Sequence, residues 1–515
     1  MSLFRKRIRK VYMTLGFVFI MELGILFYNS GTVVGMNIRA DKLKAYAIAS
    51  RDDNTVSPGN FYDRNGIILT ENVMLTEIRH DKEGKQVEKT VRKTQYRDGK
   101  AYSQLLGYTG GRIIDMSVES VEKVVGRRDD YRLMAFMDSN YWGDNGLYTT
   151  TGANGDKGQD VTLTIDHKLQ MEVYESLARQ MDESAARGSA VVMNAKTGEI
   201  LSMVAFPTYD FNDLGKAKEE MQSVEEETEL EPGFPVTYKG AVAPGSIFKV
   251  FTAVALIDHG LEGFTVVDEP FIVNEWQCNN AYSSVGDEIT YYEGMERSSN
   301  VFYAQAALKL GADKLRETAE KFMLFEEKDG DNCLSTDFGL IQYNWDLDVQ
   351  EEELAQTGFG QGKTELSTVY AAAITQAIAN DGVMMTPYLV KKLTDADGKV
   401  VYTGKAEMLS KSTSASTANK VTEAMRASAR YSSTCYKGLG DMAEVFQRYK
   451  IAGKTGTAET GDENDSNNAW FISFAPADEP QYVVAINQCK TDKGGYRLMN
   501  TAAEIYEYLF ERGNR

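Results

Sequence analysis

Apolar and polar residues alternate with two different periods along this chain. Short β-rich runs occupy 161–164, 188–195, 199–205, 449–459, 469–475 and 482–488. Helical spacing of apolar residues occurs at 167–181 and over most of the region between 205 and 449. Strands on both sides of a helical middle predict an α+β fold, in which N- and C-terminal segments close one antiparallel sheet.

Local signals define two hairpins and one long helix. Lys196-Thr197-Gly198 separates two β-rich runs and predicts a hairpin, and Asn65-Gly66 within 62–69 predicts a second one with a type I′ turn. A third signal predicts a helix with Thr364 as N-cap and Gly382 as its stop. Its apolar face consists of Leu366, Val369, Tyr370, Ala373, Ile374, Ala377 and Ile378.

The N-terminus has the pattern of a membrane anchor. Five basic residues within 5–10 precede an almost uncharged stretch at 11–28, which as a helix covers about 27 Å, close to the bilayer's hydrocarbon core. A cleaved signal peptide is the alternative, but the apolar part is long and no small-residue cleavage pattern follows it. We therefore expect a cytoplasmic tail at 1–10, one transmembrane helix at 11–29 and an extracellular body.

Length and composition limit the remaining possibilities. The 515 residues predict at least two folded units: a small mixed pedestal domain at 30–156, which contains no chemical motif, and a second domain at 157–515. A formal net charge of −19 argues against nucleic acid as a partner. Three histidines outside any motif predict neither a zinc site nor a Ser-His-Asp triad. The sequence leaves open whether the cysteines form disulfides; they are Cys278, Cys333, Cys435 and Cys489.

Three short motifs carry the chemistry. They are Ser246-Ile247-Phe248-Lys249, Ser298-Ser299-Asn300 and Lys454-Thr455-Gly456-Thr457, in that order. Together they describe a serine acyl-transfer site with lysine as the base and without a metal or cofactor.

The first motif supplies a nucleophile and a base. Spacing of i to i+3 at the start of an apolar helix places Ser246 and Lys249 on one face, one turn apart. Lys249 can take the serine proton if burial and a second cation, such as Lys454, depress its pKa.

The other two motifs complete the predicted site. Ser298 would relay the proton and Asn300 would orient the substrate. Gly456, in a strand, lets a peptide approach the strand edge. The backbone N–H groups of Ser246 and Thr457 could form an oxyanion hole.

Each motif also occurs elsewhere in the chain. Ser120-Val121-Glu122-Lys123, Ser466-Asn467-Asn468 and Lys196-Thr197-Gly198 are second matches. We expect these to be a polar helix, a polar loop and a hairpin turn, because only the full set in the right order describes a site.

With these motifs the chain resembles the class B penicillin-binding proteins, and most closely the compact A-type members of Gram-positive bacteria. The likeness runs from about residue 160 to the end. Beyond the motifs it rests on Ala243-Pro244-Gly245, Gly360-Gln361-Gly362 and Ala469-Trp470-Phe471. It implies a penicillin-binding or serine β-lactamase-like transpeptidase domain, with an antiparallel sheet flanked by helices and an all-helical lobe.

The resemblance also implies a reaction and its residues. Ser246 would attack a peptidoglycan stem peptide ending in D-Ala-D-Ala, with Lys249 as base and Ser298 with Asn300 as proton relay and positioner. Lys454, Thr455 and Thr457 would bind the donor carboxylate and the oxyanion. β-Lactams would inhibit covalently. A polytopic membrane glycosyltransferase of the shape, elongation, division and sporulation family would be a partner.

Two other functions stay open. In a D,D-carboxypeptidase or β-lactamase water would resolve the ester, although the deacylating E-x-x-x-N pattern of class A β-lactamases does not occur between Asn300 and Lys454. A non-catalytic β-lactam sensor or wall scaffold is the other alternative.

Overall fold

The computed structural model describes residues 59–80, 84–107, 159–181, 185, 187–213, 215–217, 219–220, 235–282, 286–325, 333–338, 340–347 and 349–512. The tail predicted at 1–10, the transmembrane helix predicted at 11–29 and the larger part of the predicted pedestal lie outside these residues. Within the described ranges, every helix is too short or too polar to cross a bilayer.

Twenty short and long strands are present in this part of the chain. In order they are β1 Phe61–Tyr62, β2 Thr70–His80, β3 Gln86–Tyr96, β4 Asp160–Leu163, β5 Arg187–Asn194, β6 Ile200–Phe206, β7 Val266–Val267, β8 Phe271–Val273, β9 Trp276–Cys278, β10 Glu288–Ile289, β11 Cys333–Ser335, β12 Leu340–Asn344, β13 Glu365–Leu366, β14 Val383–Met385, β15 Val390–Thr394, β16 Val400–Thr403, β17 Met408–Lys411, β18 Ala452–Glu459, β19 Asn467–Ala475 and β20 Tyr482–Thr491.

Eleven α-helices accompany them among the described residues. They are α1 Gly99–Leu106, α2 His167–Gln180, α3 Val236–Lys239, α4 Lys249–Asp258, α5 Tyr291–Arg297, α6 Asn300–Lys321, α7 Glu351–Thr357, α8 Thr368–Ala379, α9 Ala415–Cys435, α10 Ala443–Arg448 and α11 Leu498–Glu507. Short 3₁₀ segments occur at Gly245–Phe248, Lys437–Met442 and Gly495–Arg497, and a π segment at Tyr508–Arg512.

The central sheet joins the N- and C-terminal segments of the second predicted domain. Its five antiparallel strands follow the order β18-β19-β20-β5-β6, so that N-terminal β5 pairs directly with C-terminal β20. This arrangement confirms the α+β prediction and the predicted strands at 188–195, 199–205, 449–459, 469–475 and 482–488. Strand β18 lies at one edge of the sheet.

Alternation along the strands divides the apolar residues between two cores. In β5, Ala190 and Val192 belong to the core that includes α2 and α11, whereas Val191 and Met193 belong to the core that includes α4, α6 and α8. The sheet is therefore buried on both faces, and α4, α6 and α8, which we call the helical lobe, belong to the core on one of them. This lobe carries the first two motifs.

The hairpin at 62–69 differs from the type I′ prediction. Gly66 has a positive φ of 86°, but Asn65 does not adopt a left-handed conformation. Asp63 Oδ1 accepts hydrogen bonds from the backbone N–H groups of Asn65 and Ile67 at 2.8 and 2.7 Å. The predicted type I′ turn is wrong because the buried Asp63 carboxylate holds the chain in an Asx-type turn.

The long middle helix is confirmed, but its predicted start is wrong. It begins at Thr368, with Ser367 rather than Thr364 in the N-cap position. Leu366, which precedes Ser367, is extended and exchanges two backbone hydrogen bonds with Val242. The helix ends at Ala379, and the N–H of Gly382 closes the following turn on the carbonyl of Ala377 at 2.8 Å.

The described residues before 107 share a core with the second predicted domain. Strand β1 pairs in parallel with β4, and Phe61, Leu69 and Tyr102 lie in the same apolar cluster as Leu163 and the helical lobe. A separate pedestal domain at 30–156 stays a prediction, since most of that range is not described.

Candidate functional site

The first motif forms a tight turn at the entrance to α4. Gly245–Phe248 is a 3₁₀ helix, and the backbone N–H of Lys249 donates to the carbonyl of Ser246. In a 3₁₀ turn, side chains at i and i+3 lie one above the other, which aligns Ser246 with Lys249 more closely than the predicted α-helical turn would. Ser246 is half-buried and Lys249 is 0% exposed.

Close backbone approaches hold this turn in place. The N–H of Gly245 donates to the carbonyl of Gly360 at 2.8 Å. A Cβ atom on Gly360 would lie 2.1 Å from the carbonyl oxygen of Gly245, and Gly360 has a φ of 81°. Trp470 Nε1 donates to the carbonyl of Ala243 at 2.9 Å. Only glycine fits at 360, and a hydrogen bond joins the segment before Ser246 to strand β19.

The second motif meets Lys249 from the junction of two helices. Ser298 ends α5 in a left-handed conformation, with φ 62° and ψ 44°, and Ser299 caps the N-terminus of α6. Lys249 Nζ donates to the carbonyl of Ser298 at 2.7 Å, to Ser298 Oγ at 3.1 Å and to Asn300 Oδ1 at 2.8 Å. The turn at Ser298 therefore presents both its carbonyl and its hydroxyl to the same amine.

The third motif brings a second buried amine to the same hydroxyl. Lys454, on edge strand β18, is 1% exposed, and its Nζ donates to Ser298 Oγ at 2.8 Å and to the carbonyl of Thr455 at 3.0 Å. Ser298 Oγ thus lies between Lys249 and Lys454, with hydrogen bonds to both. A proton can pass along this chain of three polar groups.

Burial changes the protonation of both lysines. Removal from water lowers the pKa of Lys249 well below its ordinary value, and the nearby charge of Lys454 lowers it further. Burial also lowers the pKa of Lys454 to about 7. A neutral amine at Lys249 is therefore accessible near neutral pH, which is the state a general base requires.

Strand β18 passes directly beside the turn Gly245–Phe248, which contains Ser246, the predicted nucleophile. A Cβ atom on Gly456 would lie 2.8 Å from the carbonyl of Pro244 and 2.9 Å from Cγ2 of Ile247, so the missing side chain permits this approach. The carbonyl of Thr457 comes close to Gly245, and Thr457 Oγ1 accepts the N–H of Gly495 at 3.3 Å. The turn that contains Ser246 and the part of β18 that contains Thr457 are consequently neighbours, and we call the region between them the cleft.

The structure brings together the three segments that carry the eight residues singled out from the sequence: Ser246, Lys249, Ser298, Asn300, Lys454, Thr455, Gly456 and Thr457. Two of the second matches lie elsewhere. Lys196-Thr197-Gly198 forms the predicted turn between β5 and β6. The polar loop predicted at Ser466-Asn467-Asn468 is wrong for Asn467 and Asn468, which begin β19 and pair with the end of β18. Ser120-Val121-Glu122-Lys123 lies outside the described residues.

Sequence reasoning missed several residues that shape the site. Asn280 Oδ1 accepts the N–H groups of Asn300 and Val301 at 2.7 and 3.2 Å. Thr290 and Glu293 form a capping box at the start of α5, and their T-x-x-E spacing was visible in the sequence. Asn280 had no such signal, because it lies in a loop and contacts the motif across a separation of 20 residues.

Three cysteines are free thiols: Cys278, Cys435 and Cys489. Cys278 is buried close to Lys249, and burial raises the pKa of its thiol to about 12. It is therefore neutral at physiological pH and adds no charge to the site. The side chain of Cys333 lies outside what the structure describes.

Comparison with known proteins identifies relatives across most of the chain. Residues 188–507 match the penicillin-binding protein transpeptidase domain. The peptidoglycan D,D-transpeptidase PbpA of Mycolicibacterium smegmatis is 27% identical over 427 residues, 80% of this chain and 81% of that protein. Stage V sporulation protein D of Bacillus subtilis is 30% identical over 346 residues, 64% of this chain and 49% of that protein.

Solved structures share the fold. Penicillin-binding protein A of M. tuberculosis, in its ceftriaxone acyl-enzyme complex, aligns with a TM-score of 0.68 at 22% identity, over 89% of this chain and 100% of that chain. The D,D-transpeptidase domain of a peptidoglycan glycosyltransferase from Eggerthella lenta gives 0.67 at 24% identity, over 89% of this chain and 99% of that chain. With its motifs in one cleft and the domain match over more than half its length, the chain belongs to the class B penicillin-binding proteins, a family of serine transpeptidases.

Proposed function

We propose that this protein is a peptidoglycan D,D-transpeptidase that cross-links stem peptides through an acyl-enzyme at Ser246. One observation carries the proposal: two buried lysine amines share the Ser298 hydroxyl, and one of them lies a single turn from Ser246. Two ammonium groups would repel each other in such a place, so the arrangement favours a neutral amine next to a serine.

The neutral form of Lys249 suits the acylation step. It carries two hydrogens, which match the two short contacts with the carbonyl of Ser298 and with Asn300 Oδ1. Its lone pair is then available to take the proton of Ser246 as Oγ attacks the penultimate D-Ala carbonyl. The C–O bond forms, the peptide C–N bond breaks and the terminal D-Ala leaves.

The leaving amine needs a proton, and Ser298 is placed to supply it. Its hydroxyl can give its hydrogen to the departing nitrogen while it receives one from Lys249, the group that took the serine proton. Lys454 holds the same hydroxyl and keeps a positive potential at the place where the donor carboxylate would lie. Resolution by an acceptor amine runs the same relay in reverse and makes the cross-link.

The oxyanion of the tetrahedral intermediate has its donors in the same cleft. The backbone N–H groups of Ser246 and Thr457 belong to segments that approach closely at Gly245 and Gly456, and each such donor contributes about 3 kcal/mol to transition-state stability. The outer edge of β18, which has no strand partner among the described residues, accepts the donor peptide as an added strand, with Thr455 and Thr457 beside its carboxylate.

Mass spectrometry after penicillin treatment tests the covalent step. We expect a penicilloyl adduct on Ser246 that is absent in Ser246→Ala and forms about 100-fold or more slowly in Lys249→Ala, since general base catalysis contributes at least that factor. Lys450→Ala, at an exposed lysine outside the cleft, is the matched control and should react like the wild type. Labelling that persists in Ser246→Ala would contradict the proposal.

Product analysis separates transfer from hydrolysis. With stem-peptide strands as substrate we expect dimeric cross-linked products. Trimmed monomers alone would assign the protein as a D,D-carboxypeptidase, and rapid loss of the penicilloyl ester would assign it as a β-lactamase. Absence of any adduct on a folded sample would favour a non-catalytic sensor or scaffold.

The cellular setting is proposed from the N-terminal pattern. Basic residues followed by the apolar stretch 11–29 support a single-pass anchor with the catalytic region outside the cell membrane. A polytopic membrane glycosyltransferase that supplies new glycan strands is the proposed partner. Exchange of 11–29 for an unrelated transmembrane helix should keep membrane attachment and abolish co-purification with that partner, if the helix carries the contact.

A further inference from the structure

We propose that Asp268 is a positioning residue of the acyl-transfer site, which holds Ser298 and Asn300 in place through the residues next to them and places one negative charge near Lys249. The inference rests on the proposed function and adds a residue to it. Asp268 lies between β7 and β8, thirty residues before the second motif, and its side chain is fully buried.

Three neutral groups hold the carboxylate. Oδ1 accepts the hydroxyl of Ser299 at 2.7 Å and Nδ2 of Asn280 at 2.8 Å, and Oδ2 accepts the hydroxyl of Tyr282 at 3.0 Å. Its own N–H donates to the carbonyl of Asp287 at 2.9 Å. Since all three side-chain donors are neutral, the negative charge is solvated by hydrogen bonds but not cancelled by them.

Two of these partners act directly on the second motif. Ser299 Oγ also accepts the N–H of Phe302 at 2.9 Å, and Asn280 Oδ1 accepts the N–H groups of Asn300 and Val301. Asp268 orients both side chains so that their acceptors face the first turn of α6. The orientation of that turn determines the left-handed backbone conformation of Ser298. The carbonyl and hydroxyl of Ser298 then accept hydrogen bonds from Lys249.

The charge of Asp268 completes the electrostatics of Lys249. The ionisable groups around that amine are Lys454 on β18, Cys278 on β9, Tyr303 on α6 and Asp268. Lys454 lowers the pKa of Lys249, whereas Asp268 raises it. Cys278 is a neutral thiol near pH 7, because burial raises its pKa to about 12. Among the described residues, Asp268 is thus the anion that opposes the effect of Lys454 on the pKa of Lys249.

Asp268→Asn separates the charge from the hydrogen bonds. An asparagine can accept from Ser299 and Asn280 through Oδ1 and donate through Nδ2 to the Tyr282 oxygen, so the contacts can persist without the charge. The experiment measures the rate of acylation by a fluorescent penicillin between pH 5 and 9, with the full chain in detergent. The rate rises on the acid side as Lys249 loses its proton.

We expect the acid limb of Asp268→Asn to move to lower pH by about half a unit or more, because an anion that favours the ammonium form is gone. Ser299→Ala removes a hydrogen bond and a helix cap but keeps the charge; its plateau rate should fall about threefold or more with the limb unmoved. Glu269→Gln, at the adjacent exposed carboxylate, should match the wild type in both respects.

The outcomes are distinguishable. A limb that stays in place or moves to higher pH in Asp268→Asn, with or without a lower plateau, overturns the inference. If that variant shows no melting transition, Tyr282→Phe replaces it; a rate equal to that of the wild type then overturns the positioning role, and a slower rate at unchanged melting temperature supports it. A wild type without a Ser246 adduct would instead remove the proposed function.

Discussion

At the scale of single residues, the positive charge of Lys454 adds to the effect of burial on the pKa of Lys249. Burial is the main cause of the lowered pKa of Lys249, and Lys454 is the second. Removing that cation should therefore raise the pKa of Lys249 while leaving it buried. The proposed base would then be protonated over a wider range of pH.

We accordingly expect Lys454→Gln to move the acid limb of β-lactam acylation to higher pH, by about one unit, in addition to lowering the plateau rate. The pH dependence of acylation by a fluorescent penicillin measures both effects. Lys450→Gln, at a surface lysine paired with Asp478, should leave the limb in place. A limb that moves to lower pH would mean that Lys454 does not act on Lys249 as a cation.

The candidate site can be predicted from sequence because its chemistry is concentrated in three short segments. Residue type and order predict Ser246, Lys249, Ser298 and Lys454, and in the structure hydrogen bonds join the last three. Asp268 could not be found this way. Its contacts with the motif span about thirty residues and depend on the tertiary fold, so no local pattern marks it.

At the scale of secondary-structure elements, the loop around Gly360 supports the nucleophile turn through a close backbone contact. Gly360 and Gly398 have the same φ of 81°, but a Cβ atom would meet the carbonyl of Gly245 at 2.1 Å in the first case and nothing within 4 Å in the second. The two glycines therefore separate backbone strain from steric contact.

Gly398→Ala should lower the free energy of unfolding by about 1 kcal/mol, the ordinary strain of a left-handed residue with a side chain. Gly360→Ala should lower it by about 3 kcal/mol or more, because the turn must also move. Its acylation rate should fall about tenfold or more, since small displacements of a nucleophile have large effects. Denaturant unfolding and acylation rates check both; equal effects of the two substitutions would contradict the assigned role.

Element boundaries show why sequence patterns are incomplete. The period of apolar residues located the long middle helix, but it could not exclude Thr364 as the cap. Leu366 is instead paired with Val242 in extended conformation, a contact between segments more than a hundred residues apart. The turn at Asn65-Gly66 differs for a similar reason, because the buried Asp63 side chain outweighs the usual preference of that dipeptide.

At the scale of the whole molecule, Gln170 links the N-terminal segment to the catalytic sheet. Its Nε2 donates to the carbonyls of Ala101 and Met203, and its Oε1 accepts from Ser202 Oγ and the N–H of Met203, at 2.8 to 2.9 Å. The amide thus uses its full hydrogen-bonding capacity in a fully buried position. It joins α1 to α2 and β6.

Gln170→Leu should lower the free energy of unfolding by about 3 kcal/mol or more, because it leaves several buried polar groups without partners. The acylation rate of the folded variant should be unchanged, since the cleft lies on other elements. Gln447→Leu, on the exposed surface of α10, is the matched control. A melting temperature of Gln170→Leu equal to that of the control would refute this account of the packing.

The left-handed backbone at Ser298 has a consequence for how such enzymes evolve. A side chain in this conformation costs about 1–2 kcal/mol, and glycine would remove that cost together with the hydroxyl that Lys249 and Lys454 both contact. The free energy of unfolding therefore favours glycine at position 298, whereas the proposed acylation requires serine. We expect evolution to retain Ser298 in such enzymes and to raise the free energy of unfolding through substitutions elsewhere in the chain.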